Sequence, residues 1–310
     1  MKILLIKKKF ILDIIFIISL LLVGSTAFYF QYSKFKSLPT VYPVNFSKDT
    51  EYDLTGDGFK DSFKLISNEN KVDFNVKTSL SEFYLSKELD DKILFTKNLH
   101  WTPKTFIHDL SRNNIPEIIL IGPKNNKSTY YVFAWDNNKF NLITTGNNNI
   151  LGILDCKNSR TPQCFSLSSS SASNSINSFM VINNKFLNTT NNNTPVTIPS
   201  VDTVLNFINL IELPYDLDEL PNIFSTNISR DELSIFWALD KDNYSYAFQN
   251  AFFYDYDWNE YEEPTAIQWI LSFEKNKLNG QDGDKEEMCV FLDIIKDHPS
   301  YKITTIQKSK

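Results

Sequence analysis

The feature of this sequence that most restricts its fold is a run that alternates oxygen-bearing side chains with other residues around two glycines. It reads DLTGDGFKD and covers residues 53–61. Calcium takes about six to eight oxygen ligands, and loops of this kind supply them from alternate positions, with glycine at position 6 for the turn. The run therefore predicts a Ca²⁺ site whose ligands are Asp53, Thr55, Asp57, the carbonyl oxygen of Phe59, and Asp61.

A metal-free turn is the alternative for this run, because Asp, Asn and Gly favour turns in any protein. The residues that follow, SFKLI at 62–66, alternate between polar and apolar. This alternation is typical of a strand and argues against the helix that follows a helix–loop–helix calcium site.

Two further segments share the spacing of the first, which indicates an internal repeat. The second, at residues 109–117, has lost both glycines, and Arg112 brings a positive charge close to the position of an ion. The third, Asp155–Gln163, is expected to keep the turn without the metal because Lys157 replaces a ligand. The second, weaker candidate site consists of Asp109, Ser111, Asn113, the carbonyl oxygen of Ile115, and Glu117.

With these loops leading into strands, residues 41–193 resemble the FG-GAP/VCBS repeat family. The resemblance implies a propeller-like β domain with calcium-binding loops, and roles in adhesion, envelope or assembly. Three repeats of roughly fifty residues are fewer than the four to eight blades of a closed propeller. We therefore expect a partial, propeller-like assembly in this part of the chain.

The N-terminal end predicts insertion into a membrane. A basic tail at residues 1–9 precedes an apolar run at Phe10–Phe30, and about twenty apolar residues span a bilayer core of roughly 30 Å. The lysines are expected to stay in the cytoplasm, so that the rest of the chain faces outward from a single-pass anchor. Cleavage near Ala27 would instead release a secreted protein.

A polar tract that ends in a linker at residues 194–200 separates these repeats from a region with a different pattern. Residues 201–310 begin with helical spacing, and Ser229 with Glu232 forms a capping box before a second helix. Long strand patterns follow. The fold class predicted is an N-terminal transmembrane helix, then mainly β with partial propeller-like repeats, then α+β with a curved antiparallel sheet, analogous to NTF2-like or cystatin-like folds.

Charge and motif content restrict the function further. The net charge is −6, and no basic run with interleaved aromatics occurs beyond the N-terminal tail, which argues against nucleic acid as a partner. The abundance of Lys, Asn, Ile and Phe indicates an AT-rich genome, as in low-GC Gram-positive bacteria. No H-E-x-x-H, G-x-S-x-G or P-loop motif is present, so we assign no catalytic residue.

Two features leave alternatives open. Cys156 and Cys164 either pair in an oxidising compartment or are buried as free thiols. The aromatic and acidic stretch Phe252–Glu263 is either an exposed platform for a saccharide or peptide, or a strand with one packed and one solvated side.

These observations predict a membrane-anchored, non-enzymatic protein on the cell surface that binds a protein or glycan ligand or serves as a scaffold. Ca²⁺ is its expected structural cofactor. One alternative is an extracytoplasmic hydrolase that acts on cell-envelope polymers, with the C-terminal sheet as its cleft. The other is a structural spacer without pocket or metal.

Overall fold

The computed structural model describes Ser19, Gly24 and residues 43–44, 51–155, 161–171, 176–190, 197–214, 219–279 and 284–309. Residues 41–310 form one compact unit and residues 1–40 another. The apolar run Phe10–Phe30 lies outside the described residues except for Ser19 and Gly24. The helices within the described ranges are all too short or too polar to cross a bilayer.

Two of the three sheets come from the first half of the compact unit, and each is antiparallel throughout. The first has the order β1-β2-β3-β4, with β5 paired to β3, and the second has the order β6-β7-β8-β9. The strands of the first sheet are β1 (Glu51–Tyr52), β2 (Asp61–Asn68), β3 (Lys71–Lys77), β4 (Glu82–Tyr84) and β5 (Phe95–Thr96). The strands of the second are β6 (Lys104–His108), β7 (Glu117–Lys124), β8 (Lys127–Asp136) and β9 (Lys139–Gly146).

The third sheet has eight strands in the order β13-β12-β11-β10-β14-β15-β16-β17. Its central pair, β10 with β14, is parallel, and the other pairs are antiparallel. The strands are β10 (Ile150–Leu154), β11 (Gln163–Leu167), β12 (Asn177–Ile182), β13 (Lys185–Asn188), β14 (Tyr244–Trp258), β15 (Pro264–Lys277), β16 (Lys285–Asp297) and β17 (Ser300–Lys308).

Two helices, α1 (Val201–Glu212) and α2 (Arg230–Trp237), stand between β13 and β14 in the chain. The predicted capping box of the second helix is confirmed. The Ser229 hydroxyl accepts a hydrogen bond from the Glu232 amide at 3.1 Å, and the Glu232 carboxylate accepts one from the Ser229 amide at 3.0 Å. Both contacts satisfy amides that have no partner within the helix.

Three apolar cores separate four layers, which are the first, second and third sheets and the helices. Strand β7 explains the order, because its Ile118 and Leu120 lie in the core with the first sheet and its Ile119 and Ile121 in the core with the third. A strand covered on both faces has a continuous apolar run instead of an alternating one. The third core lies between the third sheet and the helices, where Trp269 belongs to the same cluster as residues of α1 and α2.

The predicted fold class is wrong. The described chain is mainly β with two helices, it shows no transmembrane helix, and its strands do not form a β region followed by a separate α+β region. The reason is the parallel pair, in which Gly152 of β10 lies opposite Phe253 of β14. This pair joins strands from both sides of the linker predicted at 194–200 into one sheet, while residues 191–196 lie outside the described chain.

We expect Gly152→Val to destabilise the compact unit. A Cβ atom at Gly152 would overlap the ring of Phe253, and overpacking of a core typically costs about 1–3 kcal/mol. Urea unfolding of residues 41–310 measures the loss. The control Ala247→Val lies at an exposed position of β14 and should change the free energy of unfolding by less than about 0.5 kcal/mol. Equal effects of the two substitutions would contradict the importance of the pair.

Candidate functional site

The loop at residues 53–61 is held in shape by its own carboxylates. Asp53 accepts hydrogen bonds from the amides of Gly56 at 2.7 Å and Gly58 at 3.0 Å, and Asp57 accepts one from the amide of Phe59 at 2.8 Å. Both glycines have positive φ, at 75° and 83°. Glycine adopts this left-handed conformation without the steric cost that a side chain brings, which is why the sequence folds tightly here.

The loop at residues 109–117 repeats this geometry. Asp109 accepts hydrogen bonds from the amides of Asn113 at 3.2 Å and Asn114 at 2.9 Å, and Asn113 accepts one from the amide of Ile115 at 2.8 Å. Arg112 and Asn114 occupy the two glycine positions with φ of 59° and 66°. The two loops are therefore structural copies although the second has no glycine.

Each loop ends in a buried carboxylate. Asp61 accepts a hydrogen bond from the amide of Leu54 at 2.8 Å, and Glu117 accepts one from the amide of Leu110 at 2.7 Å. Both acids are only 1% exposed. Each bond therefore links the last candidate ligand of its loop to the residue directly after the first candidate ligand, Asp53 or Asp109.

In each loop a buried hydroxyl and one oxygen of the last carboxylate have no hydrogen-bond partner other than each other among the described residues. The pairs are Thr55 with Asp61 and Ser111 with Glu117. Burial raises the pKa of Asp61 and raises that of Glu117 to about 7, and in each loop the hydrogen bond from the hydroxyl opposes the rise. A cation beside such a pair would stabilise the charged carboxylate.

The two loops differ in charge. Asp53, Asp57 and Asp61 give the first loop three carboxylates, and none forms an ion pair with a residue in the described ranges. In the second loop Arg112 forms an ion pair with Asp155, and Asp109 lies close enough to stabilise the guanidinium against the effect of burial on its pKa. The second loop therefore has a cation of its own that forms an ion pair, whereas Lys60 of the first loop forms none with a residue in the described ranges.

Each loop contacts the next one along the chain. A Cβ atom at Gly56 would lie 2.6 Å from the Ile115 side chain, so the first loop touches the second. Arg112, at the position that matches Gly56, reaches Asp155, the first residue of the third copy. Residues 156–160 of that copy, including Lys157, lie outside the described residues.

Asp155 is also part of a buried polar network that sequence reasoning did not find. Its amide donates to Asp255 at 2.7 Å, and Asp255 accepts the indole N–H of Trp258 at 2.6 Å. His108 lies 3.8 Å from Asp155, and burial with the nearby Arg112 lowers the pKa of His108 to about 4, so the imidazole is neutral. These partners are far apart in sequence, and no local pattern marks them.

The residues of the first loop fit a hard cation better than a transition metal. The described residues contain no cluster of three or more His, Cys, Asp or Glu side chains that could hold a metal. A site here needs the Thr55 hydroxyl and the Phe59 carbonyl as well as the carboxylates. Ca²⁺ accepts such mixed oxygen sets, whereas zinc sites use mainly Cys and His.

Comparison with protein-family models gives no match to this chain, and comparison with curated proteins gives none either. The resemblance to FG-GAP/VCBS repeats thus rests on the loops alone.

The remaining sequence candidates lie mostly in the interior. Cys164 is a buried free thiol, and Cys156 lies outside the described residues. In the stretch Phe252–Glu263, the residues from Phe252 to Asp255 are buried in β14, while Tyr261 is 74% exposed. The first part of this stretch is therefore a strand, as the second alternative predicted, but the side that was expected to be solvated is buried, since Asp255 is only 5% exposed.

Glu117 predicts a pH dependence of stability. Its pKa is about 7 in the folded state, above the ordinary 4.5, so the folded protein binds a proton more tightly than the unfolded chain. The stabilisation is complete below about pH 4.5 and is lost as the pH rises to about 7, by up to roughly 3 kcal/mol. Glu117→Gln should remove this loss, because an amide keeps the acceptor for Leu110 and stays neutral.

Urea unfolding of both proteins between pH 4.5 and 8 measures the difference. The exposed Glu51→Gln serves as the control and should follow the wild-type profile. If the free energy of unfolding varied with pH in the same way for wild type and Glu117→Gln, the prediction would be wrong, because ionising Glu117 would then cost no stability.

Proposed function

We propose that this protein is an exported, non-enzymatic binding or scaffold protein whose loop at residues 53–61 holds one structural Ca²⁺ ion. The observation that carries the proposal is the comparison of the two loops. In both loops the amide at position 6 donates to the first Asp, and the amide at position 7 donates to the side chain at position 5. Yet the three carboxylates of the first loop form no ion pair with a described residue, whereas the second loop has the ion pair of Arg112 with Asp155. The charges of Asp57 and Asp53 add to the rise of the Asp61 pKa, and a cation among the three would relieve this repulsion.

The proposed ligands are Asp53, Thr55, Asp57, the carbonyl oxygen of Phe59, and Asp61. Bound Ca²⁺ would neutralise the carboxylates and use the buried oxygens of Thr55 and Asp61, which have only each other as partners among the described residues. Its role is structural, because β2 begins at Asp61 and Gly56 packs on the second loop. In the second loop the ion pair of Arg112 with Asp155 takes over this stabilisation, so we propose no ion at Asp109–Glu117.

The location and partner follow from the sequence. The lysine-rich start and the apolar run after it support export, and extracellular calcium modules bind with dissociation constants of about 10⁻⁴–10⁻³ M. A protein or glycan on the cell surface is the proposed partner, since the net charge of −6 disfavours nucleic acid.

Calcium should bind to residues 41–310 with one site, and Asp57→Asn should abolish that binding. Asn113 stands at the matching position of the second loop and accepts the same backbone hydrogen bond, so the variant should keep its fold. Calorimetric titration measures binding. At a calcium concentration about 100 times the dissociation constant, the wild type should gain about 2.7 kcal/mol of stability.

The control is Asp242→Asn, which removes one exposed carboxylate away from the loop. It should bind calcium as the wild type does. Binding that survives Asp57→Asn, or a wild type whose stability ignores calcium, would refute the proposed site and leave the loop as a metal-free turn.

A further inference from the structure

The third sheet extends beyond the second, and the uncovered part opens into a cleft. Strand β6 is an edge of the second sheet. The cavity beside it is lined by Lys104 of β6 and by Ile270 and Phe291 of β15 and β16. The cavity at this edge has a volume of about 510 Å³. Pockets for small molecules typically have about 300–1,000 Å³ and mostly apolar walls. The cleft therefore has the size of a small-molecule site.

The walls of the cleft are mostly apolar. Ile270 and Phe291 are cross-strand partners on β15 and β16 and form its floor. Val44 and Leu65 line the other side, where the Val44 amide donates to the carbonyl of Thr105 on β6 at 2.8 Å. Such walls suit a ligand that is apolar over most of its surface.

One buried ion pair stands at the edge of these walls. The Lys104 ammonium lies 2.7 Å from Glu287, whose other oxygen accepts the Thr102 amide at 3.2 Å. Burial opposes both charges, yet the pKa of Lys104 is raised by Cys289 and Glu287, and Lys104 lowers the pKa of Glu287. Both groups are therefore ionised, and the pair carries no net charge. An ammonium has three N–H donors. Glu287 accepts one and the Cys289 sulfur another, so one N–H of Lys104, which lines the cleft, remains for a ligand.

We propose that this cleft binds a small, uncharged, largely apolar molecule that places one hydrogen-bond acceptor on the Lys104 ammonium. A charged ligand is disfavoured because its charge would be buried without a counter-ion, since the charges of Lys104 and Glu287 already neutralise each other. A sugar chain is disfavoured because few polar groups line the walls. The site is separate from the calcium loop and does not depend on it.

Cys289 provides a reporter inside the cleft. Its side chain lines the cavity and is partly exposed, whereas Cys164 is buried. Burial raises the pKa of both thiols, more strongly that of Cys164, and Lys104 opposes the rise at Cys289. In the full chain with Cys156→Ser, methyl methanethiosulfonate should therefore modify Cys289 first. Nile red, an uncharged dye with a carbonyl acceptor, is the probe. Saturating dye should slow the modification about tenfold, which corresponds to occupancy of about nine-tenths of the sites.

Two substitutions test the chemistry of the binding site. Cys289→Phe should fill the cavity and lower the affinity for Nile red at least about tenfold. The double variant Lys104→Met/Glu287→Gln removes the donor without leaving a buried charge unpaired, and it should weaken binding by about tenfold, the effect of about 1.4 kcal/mol. Ala247→Phe, at an exposed position of β14, is the control and should bind as the wild type does.

Unchanged modification of Cys289 in saturating dye would overturn the proposal, and this measurement requires no cavity-filling variant to fold. Equal affinity of wild type and a folded Cys289→Phe would overturn it as well. Protection that persists unchanged in the double variant would remove Lys104 from the site and contradict the proposed ligand chemistry. Loss of calcium binding in Asp57→Asn, with dye protection intact, would show that the two sites are independent.

Discussion

The parallel pairing of β10 with β14 is the contact on which the rest of the structure depends. Gly152 has no side chain, so the ring of Phe253 lies over its backbone and stacks on Trp269 with a centroid distance of 4.5 Å. This stack closes the core against the helices. On the opposite face, Phe252 stacks on Phe106 at 3.7 Å and closes the core against the second sheet. One pair of strands thus anchors two of the three cores.

The loops follow a different logic, because their shape is local and their stability is electrostatic. Short hydrogen bonds from backbone amides to Asp53 or Asp109 set the turn in either loop, whether or not glycine is present. What varies is how the negative charge is balanced. In the second loop Arg112 forms an ion pair with Asp155, and in the first loop the proposed ion would balance the charge instead.

Local patterns predicted much of this structure from sequence, and distant contacts did not. The capping box at Ser229, the tight loop at residues 53–61 and the long strands of the C-terminal part depend on neighbouring residues, and the structure contains all of them. The division into a β region and a separate α+β region failed because it relied on a local change of composition, whereas the pairing of β10 with β14 joins strands from both parts of the chain in one sheet. The ion pair of Lys104 with Glu287 joins positions 183 residues apart, and only the folded chain reveals it.

The parallel pair also sets the order in which the chain can fold. Asp155 at the end of β10 donates to Asp255 on β14, 100 positions later, and both helices lie in between. During synthesis or threading from the N-terminus, β10 to β13 emerge with an open edge that no nearby segment covers. Unpaired edges recruit other chains, and distant partners slow folding. The nascent chain is therefore most vulnerable to aggregation in the interval between β10 and β14, and a chaperone that shields this edge would act there.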